Sequence, residues 1–201
     1  MIASQDRSGW FGASDTAKIM GNWNTKTFRT FWLEKLGLHR NEVTTKEMRA
    51  GTEYEHRILE AIGVTEWDRQ IKIEELLLRV NLDGETTVIH EVKTHKKPVF
   101  AVTKPYWQQA QVEMFAANKP LEIVSYRMME EDYTNYFNPI DLSRVGRWPI
   151  AYEPAFIEAY KARLAYLADC LRKGVWPVDG NQFQRRAVRT PRRRIVAVSE
   201  R

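Results

Sequence analysis

Cysteine is almost missing from this chain: there is one, Cys170, in 201 residues. A lone thiol closes no internal disulfide. Without a cysteine cluster there is also no thiolate site for structural zinc or iron–sulfur, so any metal must be held by oxygen or imidazole. Long apolar runs are absent too: none approaches the roughly 18–20 residues that a membrane span needs. The start, MIASQDRSGWFGASD, has no basic stretch followed by an apolar signal core. A cytoplasmic protein is expected, and no membrane partner. No internal repeat is visible. At 201 residues and 43% hydrophobic, the chain suits one well-buried α/β domain, expected over residues 1–180.

Acidic residues thin out at the C-terminal end. Residues 181–201, NQFQRRAVRTPRRRIVAVSER, hold seven Arg and one Glu, so of the net charge of +5 this segment supplies +6 and the rest of the chain −1. An Arg-rich end on a nearly neutral body suits a polyanion, because each neutralised phosphate releases a condensed counterion. Arg192, Arg193 and Arg194 are its densest run. A solvated segment without a partner fits the composition equally well.

The patterning predicts helices and strands in alternating blocks. SDTAKIMG (14–21) opens on good N-cap types and closes on glycine, which reads as a short helix. FRTFWLEKLGL places Phe28, Phe31, Trp32, Leu33 and Leu36 at near-helical spacing. A third helix is expected over 44–63, with Gly51 in its interior marking a late start or a close neighbour. Strands are expected at 69–76, 76–82 and 86–94 as antiparallel neighbours, then a helix at 104–118, a strand at 121–130 and a long helix at 153–174. The order implies an α/β (α+β) fold, a central mixed β-sheet flanked by helices, with the site at an open edge or face.

The stretch LDGETTVIHEVKT (82–94) carries the chemistry. Alternate residues of a strand share a face, so Ile89, Glu91 and Lys93 point one way and Val88, His90 and Val92 the other. Asp83 is expected at an Asp-Gly turn entering the hairpin, within reach of Glu91. Two carboxylates from neighbouring strands, with the Val92 carbonyl beside them, make an all-oxygen cradle for Mg²⁺, and Mn²⁺ suits it as well. Lys93 is placed to orient or stabilise a water attacking a phosphodiester while the cation offsets transition-state charge. Charged residues on an exposed strand face are also ordinary.

The Asp83, Glu91, Val92, Lys93 pattern resembles the core of the PD-(D/E)XK nucleases. Its surroundings resemble one branch of them, the phage lambda exonuclease and YqaJ-like viral recombinase family. The Gly-x-x-Tyr-Glu signature of that family is matched by Gly51, Tyr54 and Glu55, and its Tyr-x-x-Gln-x-Gln signature by Tyr106, Gln109 and Gln111. Near the N-terminus, Ser14 follows Arg7 by seven residues, as in the family's pair that grips the 5′-terminal phosphate. Such a hydroxyl and guanidinium at a helix start also suit an anion on physical grounds, although Ser14 alone reads as a simple N-cap. Leu82 stands where the superfamily name has proline, and the Arg-rich segment has no counterpart.

The resemblance implies a restriction-endonuclease-like core and a Mg²⁺-dependent 5′-to-3′ exonuclease acting on linear double-stranded DNA from 5′-phosphorylated ends in phage recombination. It implies Asp83, Glu91 and the Val92 carbonyl on one metal, Glu55 and Asp83 on a second, Lys93 activating water and Gln109 positioning it. It further implies a homotrimer working with a single-strand annealing protein, in a bacterial host's cytoplasm. The rivals are a structure-specific or nicking endonuclease on the same core, and a non-catalytic DNA-binding protein using the basic segment. Among other residues, Lys96 and Lys97 are candidates for the DNA backbone or for a solvated turn. His90 is expected in the core, His56 at the surface, and Trp107 and Phe115 in packing. The stripe Phe156, Tyr160, Leu164, Leu167 and Leu171 reads as a buried helix face, or in part as a subunit interface.

Overall fold

The computed structural model describes residues 8–40 and 45–178. Arg7 and the Arg-rich segment with Arg192, Arg193 and Arg194 lie outside the described residues. A 3-10 turn, Ala13–Asp15, runs into the one-turn helix α1 (Thr16–Ile19), followed by α2 (Lys26–Lys35) and α3 (Lys46–Ala61). Threonine hydroxyls start the last two: Thr25 accepts from the Phe28 amide and Thr45 from the Met48 amide, satisfying an otherwise orphaned donor. Helix α3 begins at the threonine cap and passes through Gly51 without a break. A Cβ at Gly51 would stand 3.5 Å from the Thr94 hydroxyl, so this side of the helix lies close to the sheet.

Five strands form one sheet in the order β1-β2-β3-β4-β5: β1 (Glu66–Ile73), β2 (Leu78–Glu85), β3 (Ile89–His95), β4 (Leu121–Arg127) and β5 (Val145–Ile150). The first three run antiparallel as expected, whereas β3 and β4 are parallel, joined through α4 (Lys104–Ala117). The sheet is therefore mixed. Strand β5, which the sequence reading missed, pairs antiparallel with β4 at the sheet edge. Its Gly146 and Pro149 are strand breakers by composition, and an edge is where a sheet tolerates proline. Helix α5 (Pro154–Arg172) closes the described chain.

Two apolar clusters flank the sheet. The larger joins Phe28, Phe31 and Trp32 of α2, Val112 and Met114 of α4, and Ile157, Tyr160, Leu164, Leu167 and Leu171 of α5 to Leu78, Val80, Ile89 and Ile123 of the sheet. The smaller packs Tyr54, Ile58 and Leu59 of α3 against Val92, Val124 and Tyr126. Ile89 and Val92 thus fall in different clusters, as strand alternation requires. Trp107 and Phe156 meet edge-on with ring centroids 4.8 Å apart, and Phe115 packs against the larger cluster. No helix among the described residues is long and apolar enough to cross a membrane.

The Asp83-Gly84 pair is not a turn. Both residues lie inside β2, and the reversal comes at Thr86–Val88, where the Thr86 amide donates to the Val88 carbonyl. Gly84 serves close packing instead: a Cβ there would sit 2.6 Å from Leu59 Cδ2 and 3.1 Å from Val64 Cγ1. The missing side chain lets α3 and the chain after it approach the sheet.

Candidate active site

The β2–β3 ladder is short. Only Gly84 with His90 and Glu85 with Ile89 pair, against seven residue pairs between β1 and β2. Beyond that seam a cavity of about 330 Å³ is lined by Arg79, Asn81, Leu82 and Asp83 on one side and Glu91, Val92 and Lys93 on the other. In place of a backbone acceptor, Asp83 Oδ2 takes the Val92 amide at 2.9 Å. The catalytic candidates line this fork because strand alternation puts Glu91 and Lys93 on one side of β3.

Other elements complete the wall. Helix α3 contributes Glu55, and α4 contributes Gln109 and Glu113. Glu53 is exposed and off the cavity. The Gln109 amide nitrogen donates to Glu91 Oε1 at 2.5 Å and to Glu113 Oε1 at 2.8 Å, while Lys93 Nζ pairs with the same Glu91 oxygen. Glu91 and Glu113 each keep their second oxygen buried without a hydrogen-bond partner among the described residues. At this end of the cavity Glu55, Asp83, Glu91 and Glu113 thus gather about one ammonium, that of Lys93. Burial, and next the Glu91 charge, push the Glu55 carboxyl up to about 7. The same two causes hold Asp83 and Glu113 well above the usual carboxylate range. Burial works against the Lys93 ammonium, but Glu91 and Asp83 outweigh it and raise its pKa above the ordinary lysine value.

The opposite end of the cavity is built by the N-terminal segment. The Phe11 amide donates to the Leu77 carbonyl and the Arg79 amide to the Phe11 carbonyl, each at 2.8 Å, which lays Trp10–Gly12 beside the start of β2. Ser14 follows on the cavity wall, exposed, in the 3-10 turn rather than at a helix cap, and its hydroxyl makes no hydrogen bond among the described residues. Next to it, Asp15 Oδ2 pairs with buried Lys35 Nζ at 2.6 Å and accepts the Gly12 amide at 2.9 Å. Lys35 also lines the cavity. The sequence reading missed this pair: its members lie twenty positions apart, with no periodic signal linking them.

Several other residues have structural employment. Tyr54 of the first signature is buried, stacks on Tyr126 and donates to Asp132 Oδ1 at 3.1 Å. Tyr106 of the second lies under the Lys93 ammonium, 5.4 Å from ring centre to nitrogen. Gln111 points away from the site, donating to the Ala151 carbonyl and accepting the Glu153 amide. His90 is buried between Thr86 and Glu122, as a core residue should be. Lys96 pairs with Glu47 at 3.2 Å and stands over the Tyr133 ring, while Lys97 is exposed.

His56 lies at the surface but is not without partners: its side chain is 45% exposed, stacks on Trp67 and meets Asp68 at 3.1 Å. Asp68 takes the left-handed backbone (φ 60°) that aspartate tolerates better than most residues. Ligand atoms of Glu55, His56 and Asp68 lie within 4.8 Å of one another. Among the described residues no other three such side chains gather so tightly, and the Glu55 carboxyl feels the charges of both Glu91 and Asp68.

No protein-family model and no curated protein matches the sequence. Solved structures do. The chain is similar to LHK-Exo, an alkaline exonuclease from Laribacter hongkongensis, with a TM-score of 0.61 at 20% identity over 84% of this chain and 90% of that one. The same protein in complex with dAMP gives 0.62 at 18% identity, with the same coverage. A phage-related exonuclease from Haemophilus somnus 129PT gives 0.60 at 14% identity over 82% and 94% of the two chains. The fold of this chain, with its mixed sheet and its helices on both faces, is the fold of these solved structures.

Proposed function

We propose that the protein is a divalent-cation-dependent deoxyribonuclease that degrades linear duplex DNA 5′ to 3′ from 5′-phosphorylated ends. The observation that carries this reading is the convergence of Asp83, Glu91, Lys93, Glu55 and Gln109 on one cavity at the open fork of the sheet. The likeness to exonucleases of the same fold supports it.

The residues present fit a cation. Partnerless buried oxygens on Glu91 and Glu113, and carboxyls whose pKa values are driven up by burial and by one another, are the marks of a hard-oxygen donor set short of positive charge. Asp83, Glu91 and the Val92 carbonyl would hold one ion, and Glu55 with Asp83 a second. Mg²⁺ and Mn²⁺ both suit such ligands. When bound, a divalent cation supplies the charge that offsets the phosphoryl transition state and makes water a better nucleophile.

The chain's own groups do the rest. Lys93 stays an ammonium at neutral pH, so it donates hydrogen bonds to the attacking water or to a phosphate oxygen and does not serve as a base. Gln109 orients the water through its amide. Ser14, with Arg7 from the segment before it, would receive the terminal phosphate at the far end of the cavity, and Lys96, Lys97 and the Arg-rich segment would meet the backbone. By the same resemblance the working form is a homotrimer that passes its single-stranded product to an annealing protein in the cytoplasm of a bacterial host.

The test uses purified protein, Mg²⁺, a linear duplex with 5′-phosphates and the same DNA as a closed circle, with Lys93→Ala and EDTA as controls. Loss of linear DNA alone, absent from both controls, is the expected result. Cutting of the circle would replace the reading with an endonuclease, and intact DNA that shifts on a gel would replace it with a binding protein.

A further inference from the structure

Glu113 is a carboxylate in the interior of α4 with no exposed surface. Burying a carboxylate is costly unless something in the fold uses it. Its one hydrogen-bond partner among the described residues is the Gln109 amide nitrogen, four positions earlier and therefore on the same helix face. That nitrogen also donates to Glu91, so both amide protons are committed to carboxylate oxygens. Glu91 Oε1 takes the Lys93 ammonium as well as the amide, so it accepts and cannot donate, and this decides between the two orientations of the glutamine amide: nitrogen toward the glutamates, oxygen away. Gln109 Oε1 makes no hydrogen bond among the described residues, is not among the sealed buried polar atoms, and belongs to a side chain lining the cavity.

We propose that Glu113 is a positioning residue that clamps the Gln109 amide between itself and Glu91, so that Gln109 Oε1 is presented to the cavity as the acceptor for the water that attacks DNA. The clamp itself is a property of the folded chain; its use rests on the nuclease reading above. Without Glu113 one amide proton loses its acceptor, and the amide is free to rotate and offer a donor where the water needs an acceptor.

Two readouts on the full chain test this. In protein labelled with ¹⁵N-glutamine, both Gln109 side-chain protons should exchange slowly with solvent. Glu113→Leu should speed that exchange about tenfold or more, while the Gln111 side chain, bonded elsewhere, serves as an unchanged reference. Unchanged Gln109 protons in Glu113→Leu would overturn the clamp whatever the activity. In Mg²⁺-dependent cleavage of linear duplex, Glu113→Leu should lower kcat by about 10- to 100-fold, the usual scale for a residue that orients an active-site group, with KM for DNA ends little changed. Glu113→Gln keeps an acceptor oxygen and should recover most of that loss. In a Gln109→Ala background Glu113→Leu should cost almost nothing further, and a full additional loss there would sink the proposal. If the wild-type protein cleaves no DNA, the nuclease reading fails while the exchange experiment still decides the clamp. Should Glu113→Leu fold poorly, Glu113→Ala reads the same quantities.

Discussion

Gln109 and Gln111 stand two positions apart on α4 and do opposite kinds of work. The first is held among carboxylates at the cavity; the second bridges the Ala151 carbonyl and the Glu153 amide, fastening the reversal between β5 and α5. Gln111→Leu should therefore destabilise the fold by about 2 kcal/mol or more, since two backbone groups lose their partners, as a urea titration would measure. Gln109→Leu strips buried Glu113 of its one hydrogen-bond partner among the described residues and so also costs stability, but it should lower cleavage per folded molecule by about tenfold or more. Gln111→Leu should cleave normally once folded, and an equal loss of cleavage per folded molecule in the two would refute this division. At this scale much of the site was legible. Glu91 and Lys93 are co-facial by strand alternation, whereas Glu55 and Gln109 were singled out only by the resemblance to the family's two signatures. Glu113 was available in principle, because a residue four after Gln109 must share its helix face. Asp15 with Lys35 was not, since only tertiary contact joins them.

Among the elements, β2 gives the clearest case of a residue type read for the wrong reason. Asp-Gly is a strong turn signal, yet here the glycine answers to Leu59 and Val64 across the helix–sheet interface. Gly84→Ala should force these buried side chains apart at a cost of about 1–3 kcal/mol, the range for an overpacked core. Trimming the neighbour in Gly84→Ala/Leu59→Ala should cost less than the two single changes added together. Strict additivity in thermal melts would argue against the contact. Strand β5 escaped the sequence reading through its proline and glycine, which an edge strand accommodates. The one-turn α1 was overextended, because its capping residues form a 3-10 turn of their own.

At the scale of the molecule, the sequence announced helices on a mixed sheet, and block order with apolar periodicity sufficed for that. It could not announce which strands run parallel, a matter of how α4 carries the chain from β3 to β4. The assembled fold concentrates carboxylates, and the cost should appear in its stability. An acid whose pKa is raised by folding holds its proton more tightly in the folded chain, so it favours the fold at low pH, and that preference is lost as pH climbs through the folded value. For Glu55 the window runs from 4.5 to about 7, and Asp83 and Glu113 act in the same direction. Relative to Glu55→Gln, the cation-free wild type should lose on the order of 2 kcal/mol between about pH 5 and pH 8, and millimolar Mg²⁺ should remove most of that difference. Parallel stability curves for the two proteins would contradict the assignment.

The two-pair seam between β2 and β3 bears on the order of events as the chain folds. The β1–β2 hairpin closes over a few residues, whereas the β3–β4 pairing waits for a helical crossover, and contacts of long sequence separation form late. Asp83 and Glu91 come together across the tight Thr86–Val88 reversal, eight positions apart, whereas Glu113 joins them only through the crossover helix. The repulsion that Glu113 adds is therefore expected late, and relieving it should act on the exit from the native state more than on the entry. The share of the pH dependence that Glu113 carries should then fall on the unfolding rate, so that a bound cation would act as a latch on an already folded molecule, slowing its opening more than it hastens its formation.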